Sequence, residues 1–238
     1  MSWDQRLYLQ DAIDARRSTV AKTRKALEDK ANAHISWSYA RTEDICWKSP
    51  GGLLSYGQAR SCVDGLKHDV GRANNVAATN LLHPYFSRMA GRFYPVEKER
   101  YRIGVDPKGF VISCQTRVLG LLHNGEIGTL YWINYRKSGR LDNSTAGLIA
   151  TVFNDLYLVD PEYQGSRFKI VDVSAPPSGN RVLQEFAIED LELWPQEDMA
   201  SFFDPIYMAI RQMREDGFSP RPRAKKQKPI DPNQPQLL

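Results

Sequence analysis

Residues 117–161 read RVLGLLHNGEIGTLYWINYRKSGRLDNSTAGLIATVFNDLYLVDP, and their hydrophobic spacing changes halfway. On both sides of Asn124-Gly125 the residues form strand-like runs. Asn-Gly is the dipeptide that most readily places two successive residues at positive φ, so this half predicts a β-hairpin. Beyond Tyr135 the pattern becomes helical. The run DNST (142–145) is rich in N-cap residues. Leu148, Val152, Leu156 and Val159 then share one helical face, and Asp160-Pro161 ends the segment. The next strand candidate is RFKIVDVS (167–174), so the stretch predicts a sheet crossed by one helix.

Working outward, RYRIGVDPKGFVISCQTRV (100–118) predicts another hairpin, with Asp106-Pro107-Lys108-Gly109 supplying Pro and Gly for the turn. The strands together predict a mostly antiparallel meander. After the loop APPSGN (175–180), VLQEFAIEDLEL (182–193) alternates as a further strand. Pro195 and Pro205 then suit the first turns of two short helices, with Asp204 as the second cap. Ile206, Ile210 and Met213 form the buried stripe of the second helix, and Gly217 is its C′ stop.

The N-terminal third predicts helices. Residues 3–33 contain no Gly or Pro and read as one long helix. Its thin stripe (Leu9, Ile13, Val20, Leu27, Ala31) suits contact with a single other helix. HISWSYA (34–40) alternates as a short strand through Ile35, Trp37 and Tyr39. SPGG (49–52) breaks the chain. Cys62, Val63, Leu66, Val70, Ala73, Val76 and Leu81 then repeat at helical spacing from Ser55 to a stop at His83-Pro84. These two long segments are expected to pair as an antiparallel helical hairpin. The predicted class is α+β. The expected divisions are a helical region (1–92), an α+β domain (93–217) and a disordered basic Pro-rich tail (218–238).

The chain has 238 residues, 42% of them hydrophobic and 25% charged, the composition of an ordinary soluble domain. Its net charge is +4, and residues 217–238 carry five basic side chains against one acid, so the rest of the chain is neutral. Attraction to polyanions is therefore expected from Arg221, Arg223, Lys225, Lys226 and Lys228 in the tail, or from a local patch. No apolar run reaches the length of a membrane span, and acids within the first helix argue against a signal peptide. Three cysteines without CxxC spacing fit a reducing cytoplasm.

Chemistry-bearing patterns are sparse. Cys46, Cys62, Cys114, His68 and His83 match no zinc spacing, and Cys62 and Cys114 fall on apolar faces, so no metal is expected. No nucleotide loop or nucleophile elbow is present, and no cofactor is expected. Asp172 interrupts a strand on the side of Phe168 and Ile170. A carboxylate there must be hydrogen-bonded, paired or exposed at the strand end.

Two sites stand out. Arg136, Lys137 and Arg140 lead into a helix start carrying Ser144 and Thr145, where free amides and guanidinium groups suit an anion. Tyr131 and Trp132 precede them on a strand, as aromatics do where single-stranded nucleic acid stacks.

These features predict a non-catalytic cytoplasmic accessory protein. Its expected partners are nucleic acid, through the tail, and another protein, through helix 3–33. The alternative is an enzyme or sensor for a small phosphorylated ligand bound at the strand-to-helix loop 136–147.

Overall fold

The computed structural model describes residues 7–33, 38–116, 118–123, 126–135, 140–175 and 180–221. The class is α+β. Seven α-helices are described: α1 (Leu9–Ala15), α2 (Val20–Asn32), α3 (Ala40–Lys48), α4 (Tyr56–Asp64), α5 (Asp69–Phe86), α6 (Asn143–Phe153) and α7 (Gln196–Glu215). Seven strands accompany them: β1 (Arg92–Pro95), β2 (Arg100–Val105), β3 (Val111–Gln115), β4 (Leu119–His123), β5 (Glu126–Asn134), β6 (Arg167–Asp172) and β7 (Gln184–Ala187).

The main sheet runs β1-β4-β5-β6-β7. Its neighbours are antiparallel except β5 and β6, which are parallel because α6 carries the chain across between them. Period-two alternation divides the sheet between two cores. Leu130, Trp132, Phe168, Ile170 and Phe186 pack with α1, α2, α6 and α7. Tyr131, Ile133, Val171 and Val173 pack with α3 and α5. The β2–β3 hairpin forms a separate two-stranded sheet, so the expected single meander is divided. The interruption is β1, a four-residue edge strand without a readable pattern, which takes the place beside β4.

The helices also depart from expectation. Segment 3–33 is broken at Arg16–Thr19. Arg16 takes an extended conformation, and Thr19 caps α2 by accepting the Lys22 N–H. The expected stripe is divided: α2 packs on α7 and α1, while α1 also meets β3, and Leu9 and Leu27 are both buried in the wide shared core rather than against one helix. Arg24 pairs with Glu28 and Asp216, while Lys30 lies 3.5 and 3.3 Å from Asp11 and Asp14. The expected hairpin of the two long segments does not form, because α5 lies on the opposite sheet face against α3 and α4.

The second segment is itself two helices. Ser55 and Gln58 form a reciprocal capping box at the start of α4, and His68 Nδ1 caps α5 by accepting the Gly71 N–H at 3.1 Å. α5 continues past Pro84 to Phe86. Of the expected strand 34–40, Ile35 and Trp37 lie outside the described residues, and Tyr39 leads directly into α3.

The two short closing helices are one 20-residue helix, α7, with Pro195 as N-cap and Pro205 inside it. Its end follows the expectation. Gly217 has φ 65°, and the Phe218 and Gly217 N–H groups donate to Met213 and Arg214 carbonyls. α6 begins at the DNST cap but passes into a π turn at Asn154–Leu158. The extra residue per turn rotates Val159 out to 67% exposure and Tyr157 into the core.

Among the described residues no helix is long and apolar enough to cross a membrane. Of the tail, Arg223, Lys225, Lys226 and Lys228 lie outside the described residues.

Candidate functional site

The parallel pair β5–β6 ends in two polar side chains held in register, Asn134 and Asp172. Asp172 is only 1% exposed, so it is not an exposed strand end, and its cost is met by donors. The Asn134 side-chain amide donates at 3.0 Å and the Ser174 N–H at 2.8 Å to one oxygen. The Leu141 N–H donates to the other at 2.9 Å. Gln10 in turn donates to Asn134 Oδ1, and Arg140 Nε donates to Gln184 on β7 at 3.2 Å. This array fastens the loop entering α6 to the carboxyl ends of the strands.

The next turn is equally occupied. Asp142 accepts the Thr145 N–H at 2.7 Å. Hydrogen bonds from Thr145 hold the Asp142 carboxyl below its ordinary pKa. The Leu141 amide ahead of the cap and the Thr145 amide in the first turn of α6 thus already face carboxylates, and Thr145 belongs to the cap.

Ser144 has a different setting. With Asn143 it lines a cleft of about 720 Å³ whose other walls come from the strap 190–195, the first turns of α7 and Arg16. The strap is tied closely to α6. Trp194 N–H donates to Thr151 Oγ1 at 2.7 Å, and the Trp194 indole N–H donates to the Ser144 carbonyl at 2.9 Å. A Cβ on Gly147 would lie 2.4 Å from the Glu192 carbonyl oxygen, so only glycine permits this approach.

Inside the cleft, Trp194 and Phe202 meet edge to face with centroids 5.8 Å apart, and the Arg16 guanidinium lies 5.8 Å from the Phe202 ring centroid. Arg16 is the only cation among the described residues that line the cleft. One of its terminal nitrogens donates to the Arg17 carbonyl, but its buried Nε–H meets no acceptor among the described residues. Asp190, Glu192 and Asp198 also line it and are exposed. The volume lies within the range of small-ligand clefts, and the wall is mixed, with four charged residues among the twelve that line it.

The sequence-predicted residues are dispersed. Ser144 lines the cleft, Arg140 is exposed beside Gln184, and Arg136 and Lys137 lie outside the described residues. Tyr131 and Trp132 are 3% and 5% exposed. They face opposite sides of a sheet covered by helices, so neither forms an open stacking platform. Tyr131 donates to Met89 Sδ at 3.4 Å, and burial pushes its pKa up to about 12. Trp132 packs near Phe153. Arg221 is exposed, with its N–H donating to Asn32.

Among the described residues no group of three or more His, Cys, Asp or Glu side chains could hold a metal. Cys46 and Cys114 are buried and Cys62 is exposed, contrary to its expected apolar setting. Burial pushes the Cys114 thiol up to about 12. His83 Nε2 donates to the Leu54 carbonyl at 2.7 Å.

Comparison of the chain with models of known families, with curated proteins and with solved structures finds no match.

Proposed function

We propose that this protein binds a small organic ligand in the cleft between the start of α6, the strap 190–195 and the start of α7. The observation that carries this reading is Arg16. A guanidinium placed on an aromatic wall, with a buried N–H that meets no acceptor among the described residues, is poorly satisfied by them. The site's position adds support, since the cleft adjoins the helix that follows the carboxyl end of a parallel strand, where α/β sheets place ligands.

The test is a melting-temperature screen against metabolites with the wild type and Ser201→Trp. Ser201 is an exposed cleft residue on α7, so the indole fills the cleft without entering the core. A ligand at a hundred times its dissociation constant stabilises by about 2.7 kcal/mol, which moves a domain of this size by roughly 5–10 °C. That shift is expected in the wild type and absent in Ser201→Trp. An equal shift in both excludes the cleft.

A second reading is an accessory factor that holds nucleic acid through its basic tail. It is favoured by the contact between Arg221 and Asn32, which starts the tail at the end of α2, a helix with exposed Lys22 and Lys25. Deleting residues 222–238 is expected to weaken binding to a single-stranded oligonucleotide and flatten its salt dependence. Unchanged binding removes the tail from the mechanism.

A further inference from the structure

Resting on the cleft reading above, we infer that the ligand is a zwitterion, with a carboxylate that meets Arg16 and an ammonium group that meets the exposed carboxylates. The charges in the cleft differ in exposure. Arg16, Trp194 and Phe202 are half-buried, whereas Asp190, Glu192 and Asp198 are exposed.

A ligand carrying only negative charge would satisfy Arg16 but meet three carboxylates. It would also meet the Asp142 carboxylate that caps the start of α6 and already takes the Thr145 amide. A polyphosphate is therefore poorly suited. A ligand carrying only positive charge would suit the carboxylates and the ring faces, yet would bring a like charge to the guanidinium. A zwitterion answers both ends. Its carboxylate accepts guanidinium N–H bonds, its ammonium donates to the exposed carboxylates, and its hydrocarbon portion lies on Trp194 and Phe202.

The sign of each end can be separated by calorimetric titration with matched probes. L-phenylalanine and 6-aminohexanoate carry both charges. Phenethylamine and hexylamine carry the cation alone, and 3-phenylpropionate and hexanoate carry the anion alone. At least one zwitterion is expected to bind about tenfold or more tightly than either of its singly charged counterparts, the scale of one charge-assisted hydrogen bond.

Arg16→Gln, which keeps the bulk and one amide, is expected to reduce the zwitterion to the affinity of the amine. Glu192→Gln combined with Asp198→Asn is expected to reduce it to that of the acid. Glu192 and Asp198 are exposed and Arg16 is half-buried, and the melting temperature without ligand reports whether either variant is misfolded. Equal or tighter binding of the amines or the acids in the cleft overturns the zwitterion assignment while the cleft reading stands. If none of the probes binds the wild type, the zwitterion assignment fails. The metabolite screen with Ser201→Trp then decides the cleft reading independently.

Discussion

Asp172 accepts the Leu141 N–H at 2.9 Å, joining the end of β6 to the residue that leads into α6. Because the same carboxylate also accepts from Asn134 and Ser174, one buried side chain fixes both the parallel strand pair and the wall of the cleft. Asp172→Ala leaves these donors without an acceptor and is expected to cost about 3 kcal/mol. That corresponds to a loss of roughly 6–12 °C in melting temperature. Asp172→Asn retains one carbonyl oxygen and is expected to lose less, as measured by thermal and urea unfolding.

Gly147 controls how closely the strap approaches α6. Gly147→Ala places a methyl group against the Glu192 carbonyl, so the strap must move. The expected cost is about 1–3 kcal/mol by urea denaturation, although alanine has the higher helix propensity. A stabilised Gly147→Ala protein would show that the strap does not lie on the helix.

Pro205 distinguishes one closing helix from two. Within a continuous α7 its missing N–H leaves the preceding turn without a bond, so Pro205→Ala is expected to raise stability by about 1 kcal/mol or more. At the first turn of a separate helix the same change would bring no gain.

Glu185 gives the acid limb of stability a defined contribution. Burial alone would raise its pKa, but Lys169 at 2.6 Å and the Tyr85 hydroxyl outweigh burial and hold it below the ordinary 4.5. A carboxyl lowered in the folded state stabilises it above the unfolded pKa, and the contribution is lost as pH falls through the folded value. Stability is therefore expected to drop below about pH 4.5, and Glu185→Gln should reduce that slope. An unchanged slope in the variant would contradict the pairing.

The local chemistry of the fold was legible in the sequence. The strands flanking Asn124-Gly125, the Asp142 cap and the Gly217 stop depend on neighbours within a few residues. The break at Arg16–Thr19 was not, because it contains no Gly or Pro. Neither was the π turn, whose extra residue defeats a 3.6 repeat. Pro195 and Pro205 carry the same local signal, and only packing of the whole helix against α2 and β2 makes one a cap and the other an interior residue. The cleft draws on residue 16, residues 143 and 144, and residues 190–202. No short window contains it, and Arg16 alone reads as one cation in a basic run.

The most direct test of the cleft is the indole N–H resonance of Trp194, assigned with Trp194→Phe and followed by ¹H–¹⁵N spectroscopy as L-phenylalanine or 6-aminohexanoate is added. That N–H donates to Ser144 at the wall of the site, whereas Trp132 is buried under α6. The expected result is a saturable shift of Trp194 with Trp132 unmoved, and no shift in Ser201→Trp. Saturable binding that leaves Trp194 unchanged, or that persists in Ser201→Trp, would contradict a ligand site between α6 and α7.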